Sequence, residues 1–196
     1  MSTRSRAVLL SAMAAAAALS LSACGNGGTS GGGGNTNFVT GNNGVETAPQ
    51  GKRAAAPDLS GRTIDGKTLD VADYKGKVVV LNVWGSWCGP CREEAQYFAK
   101  VSKAYEGKGV QFVGINTRDT STTPAVAFEK EHGIGYPSLY DPTGRLMLRF
   151  KKGTLNPQLI PSTLILDKDG KVAARALEAL DDTALLKMLK PVLAEK

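Results

Sequence analysis

Apolar residues in this chain fall into a few concentrated runs separated by polar stretches. KVVVLNVW (77–84) is continuous and rich in β-branched residues, the pattern of a central strand buried on both faces. VQFVGINT (110–117) is a second apolar run and predicts a second strand. Between them the period lengthens. From Pro90 to about Tyr105, Ala95, Phe98, Ala99, Val101 and Ser102 mark the inner stripe of a helix, with Pro90 suited to its first turn. PAVAFEKEHG (124–133) predicts a helix closed by Gly133. STLILD (162–167) and KVAARAL (171–177) predict two strands joined through Lys168-Asp169-Gly170, a hairpin signal, and DTALLKMLKPVL (182–193) predicts a closing helix. Upstream, SGRTIDGKTLDVADY (60–74) predicts a hairpin turning at Asp65-Gly66. The order β–α–β–α–β–β–α places the chain in the α/β class, with a central mixed β-sheet flanked by helices on both faces.

The first 56 residues follow a different pattern. Residues 1–23 combine Arg4 and Arg6, an apolar run from Ala7 to Leu21 and small residues, the layout of a secretory signal. The run is short for a membrane span, which needs about 20 residues. Leu21-Ser22-Ala23-Cys24 resembles the lipobox of bacterial lipoproteins, in which the cysteine is lipidated and becomes the mature N-terminus. This resemblance implies lipidation of Cys24 and cleavage on its amino side. Residues 25–56 are dominated by Gly and Asn and predict a flexible tether, with a root-mean-square span of roughly 30 Å. The expected organisation is a signal peptide over 1–23, Cys24 and a tether over 24–56, and one folded domain over 57–196.

Composition narrows the function classes. The 196 residues carry a net charge of +6, without a concentrated basic run or interleaved aromatics, so no nucleic-acid partner is expected. A chain of this length buries a sizeable core without cross-links, so three cysteines are not a small disulfide scaffold.

The candidate chemistry lies in VWGSWCGPC (83–91), where Cys88 and Cys91 are separated by Gly89 and Pro90. Three uses compete. A disulfide closing four residues removes little chain entropy, about 2 kcal/mol against about 3 for fifteen residues, which disfavours a staple. Structural zinc wants four N or S ligands. This chain has one cysteine pair and a single histidine, His132, in a polar helix end. A Cu(I) site remains a secondary reading, since thiolates suit that ion. The third use is redox. A Cys-x-x-Cys that follows a buried strand and opens a helix places its first sulfur at the helix N-terminus, where partial positive charge and free N–H groups stabilise a thiolate. Cys88 is then the nucleophile and the more exposed sulfur. Cys91, a turn inside, resolves the mixed disulfide.

WCGPC after an apolar strand resembles the thioredoxin active site. Together, the lipobox, the tether, the hairpin and NVWGSWCGPCREE (82–94) resemble the TlpA/ResA/CcmG group of membrane-anchored, extracytoplasmic thioredoxins. The resemblance covers roughly residues 57–196. It implies a thioredoxin fold with an N-terminal β-hairpin extension and an αβ insertion near 118–133. It also implies a cis-proline facing the cysteines. Ile160-Pro161-Ser162-Thr163 fits that slot, with Pro161 cis and Ile160 offering backbone groups to an extended substrate. Trp87, Gly89 and Pro90 complete the implied substrate-binding surface.

Two positions depart from cytosolic thioredoxins. Their buried aspartate, six residues before the first cysteine, is replaced by Asn82, which cannot accept a proton at physiological pH. Glu94, three residues after Cys91 on the same helix face, matches an acidic position of ResA-like proteins and is the candidate for tuning thiol pKa values and relaying protons. Glu93 reads as surface, and Ala95 stands where relatives often carry proline.

The expected function is thiol–disulfide exchange without cofactor or resident metal. By resemblance, the protein is a reductant of specific disulfides in cytochrome c maturation or oxidase assembly, with apocytochrome c as a candidate substrate. A membrane thiol transporter of the CcdA/DsbD type would supply the electrons. Two alternatives remain, a DsbE-like oxidant and a copper metallochaperone. A peroxiredoxin is disfavoured because Gly85-Ser86-Trp87-Cys88 lacks the threonine of that motif. A monomer is expected, lipid-anchored to the cell membrane and facing its extracytoplasmic side.

Overall fold

A computed structural model describes residues 36–41 and 44–195. The signal segment, Cys24 and the first part of the expected tether lie outside the described residues. Within them the chain forms nine strands, four α-helices and one 3-10 turn. The strands are β1 (Val39–Thr40), β2 (Val45–Thr47), β3 (Ser60–Arg62), β4 (Thr68–Asp70), β5 (Val78–Trp84), β6 (Val110–Thr117), β7 (Ser138–Asp141), β8 (Ser162–Leu166) and β9 (Val172–Ala176). The helices are α1 (Gly89–Tyr105), α2 (Thr122–His132), α3 (Arg145–Leu148) and α4 (Asp182–Leu193), with the 3-10 turn at Val71–Tyr74.

Seven strands form one mixed sheet in the order β1-β2-β9-β8-β5-β6-β7. β5, β6 and β7 are parallel, whereas β8 runs antiparallel to β5 and β9 to β8. All seven residues of β5 are buried, as its unbroken apolar run requires. Its side chains alternate between two cores. Val79, Leu81 and Val83 face Val113, Ile115, Leu139, Leu146 and Met147, under the β3–β4 hairpin and α3. Val78 and Val80 face Phe98, Phe112, Leu185 and Leu189, under α1 and α4. β5–α1–β6 and β6–α2–β7 cross over in the same sense, which puts α1 and α2 on one face. The fold is thus the expected α/β sheet, with its three long helices on one face and the hairpin, the 3-10 turn and α3 on the other.

The structure corrects two expectations and adds two elements. The tether does not extend to residue 56. β2 pairs with β9, and β1 with β2, so Val39–Thr40 and Val45–Thr47 extend the sheet. Phe38 and Ala48 are buried there, and Ala48 N–H donates to Ala173 O at 2.8 Å. The physical reason is the otherwise open edge of β9, whose unpaired backbone groups this segment satisfies. The inner stripe of α1 is Cys91, Glu94, Ala95, Phe98 and Val101 rather than one ending in Ala99 and Ser102, which are only half-buried. A carboxylate has therefore taken a core position. Finally, β7 and α3 were not anticipated, because SLYD and RLML are too short to show a period.

Candidate active site

β5 ends at Trp84, and the chain turns through Gly85, Ser86 and Trp87 into α1. Cys88 is the N-cap of α1, and its sulfur accepts a hydrogen bond from Cys91 N–H at 3.2 Å. Pro90 occupies the first turn, where its missing N–H costs nothing. Cys88 and Cys91 are joined by a disulfide. Both are covered, at 4% and 1% exposure. Cys88 is thus only slightly more exposed than Cys91, within a buried cluster that includes Ile64, Trp84, Ala95, Ala125 and Phe128. The exposed groups are its neighbours Trp87, Gly89 and Pro90. Across from them the Ile160–Pro161 peptide is cis, and Ile160 O lies 3.8 Å from Cys88 Sγ. Leu159, about half exposed, extends the apolar rim next to Ile160.

Behind the sulfurs sits a buried polar pair. Glu94 Oε1 accepts from Asn82 Nδ2 at 2.8 Å, and Oε2 accepts from Leu180 N–H at 3.1 Å. Burial raises the Glu94 pKa to about 7, against the opposing pull of these two hydrogen bonds. Glu93, one residue earlier, is exposed. Asn82 thus takes the place of an acid while holding one from the neighbouring helix.

A second network positions the turn before Cys88. Asp119 accepts from Ser86 N–H at 2.9 Å, from Ser86 Oγ–H at 2.5 Å and from Asn116 Nδ2 at 2.6 Å. Arg92 Nη2 donates to Ser86 O at 2.8 Å from the other side. Trp84 donates to Ser138 Oγ at 3.3 Å and stacks on Phe128 at 4.5 Å between centroids. Gly114 makes this possible, since a Cβ there would sit 2.7 Å from Trp84 Nε1 and 2.9 Å from Ser138 Cβ. Ser138 in turn donates to Glu129 at 2.6 Å, and burial raises the Glu129 pKa to about 7. None of Asp119, Ser86 or Glu129 stood out in the sequence. The available signal was position, since Asp119 follows the C-terminal end of a parallel strand, where α/β proteins place their sites. His132 stacks on Phe128 at the end of α2.

Residues 49–190 match the family model described as Redoxin. The chain belongs to the Redoxin family. Among curated relatives, the thiol-disulfide oxidoreductase ResA of Bacillus anthracis is 30% identical over 122 residues, covering 62% of this chain and 67% of the relative. ResA of Bacillus subtilis is 28% identical over 151 residues, covering 76% of this chain and 80% of the relative. Among solved structures, a secreted thiol-disulfide isomerase from Corynebacterium glutamicum superposes with a TM-score of 0.73 at 30% identity, covering 83% of this chain and all of that one (100%). A DsbF homologue from Corynebacterium diphtheriae gives 0.70 at 35% identity, covering 77% and 94%. This redoxin-family protein is a thiol–disulfide oxidoreductase with a thioredoxin fold, and Cys88 and Cys91 are its redox pair. Its substrates are protein disulfides. Among the described residues, no helix is long and apolar enough to cross a membrane.

Proposed function

We propose that this protein works as an extracytoplasmic reductant, anchored to the membrane through lipid on Cys24. The reaction runs from the dithiol. The Cys88 thiolate attacks one sulfur of a substrate disulfide, that S–S bond breaks, and the released thiolate takes up a proton. The Cys91 thiolate then attacks Cys88 Sγ, frees the second substrate thiol and leaves the Cys88–Cys91 disulfide. Two electrons pass to the substrate. Cys91 N–H supports the first thiolate. Ile160 offers its carbonyl to an extended substrate segment lying along Pro161, with Trp87, Gly89 and Pro90 as the facing wall.

The observation that carries the reducing direction is Glu94. Strong disulfide oxidants depend on a stabilised, low-pKa thiolate. A buried carboxyl that ionises near neutrality, one turn from Cys91, opposes thiolate formation by like-charge repulsion and favours the protonated dithiol. It also provides a proton acceptor where Asn82 cannot. Candidate substrates are apocytochrome c or oxidase-assembly cysteines, re-reduction coming from a CcdA/DsbD-type transporter, with the domain acting as a monomer. The first described residues enter at the end of the sheet away from Cys88, since Val39 pairs with Thr47, which pairs with Ala174. An anchor there would leave the Cys pair free for partners.

The deciding measurement is the reduction potential of the Cys88/Cys91 couple by thiol-redox equilibration. A value near about −270 mV is expected, and one near about −120 mV would make the protein an oxidant. If neither sulfur exchanges with glutathione, the redox reading ends. Mass spectrometry of the mature chain tests lipid on Cys24.

A further inference from the structure

Arg118 takes no part in the chemistry above, yet it stands against Trp87, the residue before Cys88, in an unusual state. It follows the last residue of β6 in the left-handed region, at φ 58°, a conformation uncommon for any residue but glycine. This conformation carries its guanidinium back over the turn before Cys88. Its Cζ lies 4.7 Å from the centre of the Trp87 ring. Nε and Nη2 are buried and have no hydrogen-bond partner, as do the neighbouring Asn116 Oδ1 and Thr117 Oγ1. The adjacent carboxylate does not serve Arg118. Both oxygens of Asp119 are taken up by Ser86 and Asn116.

Arg118 is half-buried as a residue, but two buried guanidinium N–H groups without an acceptor are costly, because their desolvation is incurred and not offset. Such a group persists where something outside the folded chain completes it. The cover over it is Trp87, which is 52% exposed. One edge of that ring rests on Gly85, where no side chain would fit, with a Cβ only 2.8 Å from Trp87 Nε1. A substrate segment that shifts the ring uncovers two parallel N–H groups beneath the residue that precedes Cys88.

We propose that Arg118 selects substrates carrying a carboxylate close to the disulfide being reduced, with Trp87 as the movable cover of that site. This rests on the disulfide-reductase reading above. The guanidinium suits the task because its fork of donors matches a carboxylate in two-point contact.

The test uses three disulfide peptides that differ only beside one cysteine, with Glu, Gln or Lys. Reduction by the dithiol form of the full chain is followed as a second-order rate constant. The expected Glu-to-Gln ratio is about ten, the scale of one charge-assisted hydrogen bond, and it shrinks with added salt. Arg118→Lys retains part of the ratio and Arg118→Gln brings it to about one. Arg118→Glu reverses the order in favour of the Lys peptide. Ratios within each variant cancel any general change in Cys88 reactivity or folding. Equal rates for the Glu and Gln peptides with the unmodified chain would overturn the proposal while leaving the reductase reading intact. So would an Arg118→Gln variant that keeps the full ratio. If no peptide is reduced although the couple equilibrates with glutathione, the reductase reading itself fails, and this inference with it.

Discussion

Glu94 is a carboxyl group held inside the stripe that α1 buries against the sheet, and its energetics follow from that placement. Two donors, Asn82 Nδ2 and Leu180 N–H, favour the charged form, and burial disfavours it more strongly. The pKa of about 7 in the folded protein stands above the ordinary 4.5, so the folded state holds a proton that the unfolded chain has released. Stability from this group is therefore complete below about pH 4.5 and is lost progressively up to about pH 7, a change of about 3 kcal/mol. Glu129, also raised to about 7 by burial, acts in the same direction but is less enclosed. We expect urea unfolding of the oxidised protein to show this decline between about pH 4.5 and pH 7. Glu94→Gln should flatten most of it, although Gln can accept from only one of the two donors and so lowers stability somewhat at every pH. A Glu94→Gln profile that parallels the unmodified protein would place the proton elsewhere. In the dithiol state the same substitution should lower the Cys88 pKa, read as thiolate absorbance against pH. An unchanged titration would remove Glu94 from thiol tuning.

At the scale of elements, the site is a seam between the C-terminal ends of β5 and β6. β5 delivers the turn before Cys88, and β6 delivers Asp119, which receives three donors of that turn and its own strand end. Asp119→Ala leaves these buried donors without an acceptor. Each unsatisfied group costs about 1–3 kcal/mol, so a loss of about 3 kcal/mol or more is expected. Amide hydrogen exchange at Ser86 should accelerate together with the fall in the urea midpoint. Asp119→Asn, which keeps one acceptor oxygen, should fall between. A midpoint within experimental error of the unmodified protein would mean that the turn does not depend on this anchor. The sequence made one side of the seam legible and hid the other. β5, α1 and β6 carry long apolar periods, and Cys88, Cys91 and Pro161 carry a recognisable spacing. Asp119 and Arg118 lie in a polar stretch, TRDTSTT, that looks like any loop, and their meaning comes only from the register that brings Asn116 beside Trp84. Glu94 was visible as a candidate, but its partner Leu180 lies 86 residues away, so no local pattern reveals that contact.

For the whole molecule, the boundary of the folded unit matters most, because one buried arginine depends on residues that look like linker and a second lies among them. Arg175, 6% exposed in the middle of β9, pairs with Glu46 of β2, donates to Thr154 O at 2.9 Å and lies under the Phe38 ring at 4.3 Å. Arg53 bridges Asp167 at 3.0 Å and Glu195 at 2.7 Å, tying the same segment to the β8–β9 turn and to the residues after α4. Sparse apolar content made 36–56 look like tether, yet its few apolar residues and one acid fit a single sheet edge. A chain beginning at Pro57 would remove both the carboxylate and the aromatic cover of Arg175. Breaking a pair that stays buried costs about 3–5 kcal/mol, which is the upper bound for this loss because the truncation also lets water reach Arg175. The truncation also opens the edge of β9, a template for pairing with another copy. We expect the Pro57 form to unfold at lower urea than a chain beginning at Thr36 and to self-associate with concentration in sedimentation velocity. Glu46→Gln in the longer chain isolates the charge contribution. It should reproduce much of the stability loss without self-association, because β2 still covers the edge. Equal stability and a monomeric Pro57 form would return residues 36–56 to the role of a tether.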